Sequence, residues 1–82
     1  MFGLFRKKKK QNSLPELFDL NEQRLHEGDE VMAHRYELGK SVVVLEDNTY
    51  FYRSVETGKM IRFNLMIDAT TQRQKVEKIQ RN

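Results

Sequence analysis

The sequence predicts a mainly β fold: a small antiparallel barrel or meander, entered through a short N-terminal helix and preceded by a disordered basic arm. Three observations carry this expectation. Between Asp29 and Phe63 the apolar residues come in short β-branched and aromatic runs, broken at even spacing by turn residues, which is the pattern of antiparallel strands. Ser13-Leu14-Pro15-Glu16 reads as a helix start: a capping serine, a proline in the first turn and a glutamate three residues after the serine. Arg6, Lys7, Lys8, Lys9 and Lys10 are consecutive cations, which repel one another and hold a chain extended and solvated. The expected division is a flexible arm over residues 1–12 and a single small β-rich domain over residues 13–82.

The elements follow in order. Leu14, Leu17 and Phe18 share a helical face, so a helix is expected from about Leu14 to Leu20, reaching at most Gln23. Glu30–Tyr36 alternates as a strand, and Leu38-Gly39-Lys40 interrupts it. Ser41–Glu46 is a β-branched second strand and Thr49–Val55 an aromatic third, separated by a turn at Glu46-Asp47-Asn48. A second turn, Glu56-Thr57-Gly58-Lys59, leads into Met60–Phe63. Two readings stand for the C-terminal third. Asp68 caps a helix, or Leu65–Ala69 makes one helical turn and Gln74–Ile79 is a last strand; the strand is preferred because an open meander edge seeks a partner. The expected core is Leu17, Phe18, Val31, Val42, Val44, Phe51, Val55, Ile61, Phe63, Met66 and Ile67.

Size and composition narrow the function. A chain of 82 residues builds a modest core and leaves little wall for a deep substrate pocket. It has no cysteine, which removes disulfides and cysteine-based zinc sites and fits a reducing, cytoplasmic compartment. No stretch is long enough to span a bilayer as a helix, and the apolar-before-basic order at the N-terminus is the reverse of a signal peptide. The net charge of +3 is unevenly spread: the first ten residues carry +5, residues 11–71 carry six Lys/Arg against eleven Asp/Glu, and residues 72–82 carry +3. A globally basic nucleic-acid binder has a different distribution.

Two groups of residues are candidates for binding. Arg6–Lys10 can neutralise phosphates of nucleic acid or meet an anionic membrane surface, and Phe2, Leu4 and Phe5 before it suit a weak interfacial anchor. The simpler reading is a solvated tail. Tyr50 and Tyr52 share one side of their strand, so with Phe51 and Val55 inward they would form an exposed face with Tyr36, with Arg53 and Arg62 adding charge, able to stack bases or grip a peptide. The simpler reading is that these tyrosines cover a second side of the barrel. His26 and His34 lie near Asp29 and Glu30 but do not form a recognisable ligand set. No nucleophile-elbow context surrounds a serine, and the four glycines are isolated, so no catalytic residue, metal or cofactor is expected.

At Gly28-Asp29-Glu30-Val31, His34-Arg35-Tyr36, Gly39 and Val42-Val43-Val44 the chain resembles the first hairpin of small SH3-like or Tudor-like barrels. The pattern is similar to the Tudor-like domains of CarD-type transcription factors and of some helicase C-termini, and it covers about thirty residues at the level of fold. The resemblance implies a barrel, contact with RNA polymerase or nucleic acid, and no enzymatic activity of its own. The expected function is a non-enzymatic binding module for a protein or nucleoprotein partner. The alternative is a peripheral membrane or polyanion-tethered protein acting through the arm.

Overall fold

A computed structural model describes residues 14–80. It is mainly β, with two antiparallel sheets. The first is a small hairpin, β1 (Leu17–Phe18) against β2 (Arg24–Leu25), with Leu17 opposite Leu25. The second holds β3 (Glu30–Ala33), β4 (Gly39–Glu46), β5 (Thr49–Ser54), β6 (Met60–Arg62) and β7 (Val76–Lys78) in the order β6-β5-β4-β3-β7. A 3₁₀ turn, Phe63–Met66, follows β6.

The helix expected over Leu14–Leu20 is replaced by β1 and a turn. Asp19 decides this. Its buried carboxylate accepts the N–H groups of Asn21 and Gln23 on Oδ1, both at 2.8 Å. Such side-chain-to-backbone bonds compete with a helix, and a helix of seven residues has too little cooperativity to resist them. Glu22 takes a positive φ of 65° to close the turn, and Leu17 is then buried against the core rather than along a helical face.

The turns sit near their expected places, with one shift. Asp47-Asn48 joins β4 to β5 with φ of 50° and 60°, the left-handed pair of a two-residue hairpin whose twist matches its strands. Gly58, at φ 79°, closes the β5–β6 turn, its N–H donating to the Ser54 carbonyl at 2.9 Å. The first strand stops at Ala33, because Tyr36 and Glu37 both adopt φ of 57°. Leu38, expected in the punctuation, is a core residue instead.

The C-terminal third takes the strand reading. Gln74 bridges Ile67, and β7 pairs antiparallel with β3, Val76 opposite Ala33 and Lys78 opposite Val31. The segment between β6 and β7 is tied back by Lys75 N–H to the Met66 carbonyl at 2.7 Å and by Gln74 N–H to the Phe18 carbonyl at 2.8 Å.

The core is Leu17, Leu25, Val31, Ala33, Leu38, Val43, Tyr50, Tyr52, Met66 and Val76, with Leu14, Leu45, Ile61 and Phe63 packed at its margin. Leu17, Val31 and Met66 lie where expected. In β4 and β5 the expected phase is inverted: Val43 and Tyr52 point inward, opposite one another, and Val42, Val44 and Phe51 point outward, while Val55 is 54% exposed. Phe18 is also exposed and Ile67 half-buried. The physical reason lies in the polar residues at the ends of these runs. Ser41 and Ser54 are paired and buried, and Ser54 Oγ donates to the Leu38 carbonyl at 2.9 Å. With a side-chain period of two, their inward position forces Val43, Tyr52 and Tyr50 inward as well.

Candidate functional site

The sheet's outer face is set by strand register, since residues directly opposite in an antiparallel pair lie on the same side. One row runs Val44, Phe51, Arg62 across β4, β5 and β6. The next runs Glu30, Val42, Arg53, Met60 across β3 to β6. A third runs Glu77, Met32, Lys40 across β7, β3 and β4, and the Val55 N–H donates to the Lys40 carbonyl at the end of that row. Phe51 is thus flanked by an aliphatic side chain on one strand and a guanidinium on the other. Val42 and Met60 flank Arg53 in the adjoining row. Phe51, Val42, Val44 and Met60 are half-buried, and Met32 is 40% exposed.

The charges on this face are segregated except at one end of β4. Lys40, Arg53 and Arg62 lie on β4, β5 and β6 and Glu30 and Glu77 on β3 and β7, with one further carboxylate, Glu46, at the far end of β4 beyond Val44. None of the three cations forms an ion pair with a described residue. Glu77 faces His34 at 3.8 Å.

Arg6, Lys7, Lys8, Lys9 and Lys10 lie outside the described residues. Tyr36 is exposed in the β3–β4 turn. Tyr50 and Tyr52 are buried and do not join Tyr36 and Arg53 on one surface; the face expected from them is corrected to the opposite phase. Tyr52 donates its hydroxyl to Gln74 Oε1 at 2.7 Å. Burial, and secondarily the nearby Asp19 carboxylate, push its pKa well above the ordinary tyrosine range. Arg53 does lie on the outer face. Arg62, also expected to add charge, lies there too. Their neighbours Phe51, Val42, Val44, Met60 and Lys40 were not predicted as site residues, although Arg53 and Phe51 share a parity that marks them as facing the same way.

Two shallow depressions flank the sheet. One, of about 450 Å³, is lined by Gly28, Asp29, Glu30, Lys78, Ile79 and Gln80, and its Lys78 Nζ pairs with Asp29 at 3.5 Å. The other, of about 380 Å³, lies between Phe18 and residues Thr71–Arg73, where Arg73 pairs with Glu22. His26 contacts Asp29 at 3.8 Å. Among the described residues no group of three or more His, Asp or Glu side chains is arranged to hold a metal ion, and no helix is long and apolar enough to cross a membrane.

Compared with protein-family models, curated proteins and solved structures, the chain matches none.

Proposed function

We propose that this chain is a non-enzymatic binding module, working in the cytoplasm, that engages a protein or nucleoprotein partner through the outer face of β4, β5 and β6. One observation carries the reading: an outward-pointing, half-buried aromatic ring, Phe51 between Val44 and Arg62, stands beside cations that form no ion pair with a described carboxylate. An arginine left without a carboxylate partner beside apolar side chains is a common anchor of interfaces. The scaffold reading is an SH3-like or Tudor-like barrel. It is supported by the pairing of the last strand with the first of the five and by the 3₁₀ turn that leads towards it.

The test is site-directed photo-crosslinking in cells, with a benzophenone side chain placed at position 51 and, as control, at position 71 beside the Phe18 depression. Discrete adducts from position 51, absent from position 71 and lost when Arg53 and Arg62 are changed to glutamate, are the expected result. No adduct at position 51, or the same adducts from both positions, would overturn the reading. Protease and nuclease sensitivity then report whether the adduct is protein or nucleic acid.

A further inference from the structure

Resting on that reading, we infer that the occupant of the outer face is a single-stranded nucleic acid, with a base stacked on Phe51 and its phosphates carried by Lys40, Arg53 and Arg62. Of the six other Lys and Arg residues in the described chain, four have a carboxylate or carbonyl partner, and Lys59 and Lys75 form no ion pair with a described residue. Arg24 lies 3.6 Å from Glu16 and Lys78 3.5 Å from Asp29. Arg73 pairs with Glu22. Arg35 donates to the Leu65 carbonyl at 2.7 Å. Against that background Lys40, Arg53 and Arg62 form a cluster on one half of one face with no carboxylate assigned to them. A surface held positive in this way is complementary to a polyanion.

Geometry selects the kind of polyanion. Arg62 is on the strand neighbouring Phe51, about 5 Å away, and Arg53 is two residues along the same strand, about 7 Å away. Both guanidinium groups therefore reach ligand atoms next to the ring. An outward-pointing aromatic ring on a sheet offers a stacking surface that every base can use, while cations beside it track the backbone. Base pairs of a duplex keep their faces covered, and the face described here has no helix or protruding ribbon to enter a groove. Glu30 and Glu77 repel phosphate from the β3–β7 half, so the strand runs along β5 and β6. Apart from Glu30, Glu77 and, at the β4–β5 turn end, Glu46 with Thr49, the outer face carries apolar groups and cations, and none of these is placed as a base-edge reader. Recognition is then tolerant of base sequence.

The test is fluorescence anisotropy of the full chain with a labelled twelve-nucleotide oligo-dT, an oligo-U and a duplex of the same length, across a salt series. Both single strands are expected to bind more tightly than the duplex. Three phosphate contacts give a slope of about −2 in log K against log salt. Phe51→Ser weakens binding about 5- to 150-fold, while Phe51→Tyr, which keeps the ring, restores most of it. Arg53→Ala and Arg62→Ala each flatten the slope by about 0.7. Binding that survives all three losses unchanged, with its full slope, would mean that the cations outside the described residues hold the oligonucleotide, and would overturn the inference. So would tighter binding of the duplex. Absence of oligonucleotide binding together with protein adducts from position 51 would also overturn it, while leaving the binding-module reading in place. A folded amide spectrum for each variant separates these outcomes from loss of structure.

Discussion

Tyr52 shows how one polar atom is accommodated in a small core. Its ring is fully buried, and its hydroxyl finds a partner in Gln74, itself buried. Every buried side-chain nitrogen or oxygen among the described residues is likewise satisfied, as it must be where an unmade bond costs about 1–3 kcal/mol. The same burial has a consequence in alkali. The folded protein holds the Tyr52 proton beyond the pH at which an unfolded tyrosine, with a pKa near 10, releases it. The unfolded state then binds fewer protons, so this contribution to stability is full below pH ~10 and is lost as pH rises above it. Tyr52→Phe should cost about 1–3 kcal/mol at neutral pH, since Gln74 Oε1 loses its donor. Between pH 8 and about 11 the gap between wild type and variant should shrink. Urea midpoints across that range test this, and a constant gap would show that Tyr52 ionises alike in both states.

At the scale of the element, the strands were legible and their phase was not. The positions of β4, β5 and β6 follow from turn chemistry at Asp47-Asn48 and around Gly58. Val42-Val43-Val44-Leu45, however, is four apolar residues with no alternation, and Tyr50-Phe51-Tyr52 permits either facing. The deciding signal was polar: Arg53 cannot be buried without a partner, and it shares a side with Phe51 and Val55. Reading outward from Arg53 would have placed Phe51 on the surface and exposed the candidate site. Ser54, by contrast, pointed the wrong way, because a buried serine is justified here by a carbonyl that only tertiary structure brings near. The inverted phase predicts unequal costs for equal deletions. Val43→Ala should destabilise by about 2 kcal/mol, through lost burial and a cavity. Val44→Ala, one residue on, should cost less than half of that. Equal losses in denaturant melts would count against the register described here.

At the scale of the molecule, what holds the fold together is a set of contacts distant in sequence. The hairpin β1–β2 could not be foreseen, because its stabilising partners lie more than fifty residues away. Leu20 N–H donates to the Val76 carbonyl at 3.0 Å, and Gln74 N–H to the Phe18 carbonyl at 2.8 Å. Asp19 joins both ends. Its Oδ1 closes the hairpin turn, and its Oδ2 accepts the Lys78 N–H of β7 at 2.8 Å. Because β7 is also an edge of the main sheet, this carboxylate couples the small sheet to the large one. Asp19→Ala removes an acceptor from three backbone N–H groups and should cost about 3 kcal/mol, a large part of the stability of so small a domain. Asp19→Asn is the sharper variant. It retains one oxygen, so either the turn or β7 must face an amide NH₂ in place of an acceptor. Hydrogen exchange should then accelerate at Lys78 or at Asn21 and Gln23, but not at both, whereas Asp19→Ala should accelerate all three. Unchanged protection at all three amides in both variants would mean that the two sheets are joined by packing and backbone bonds without the carboxylate.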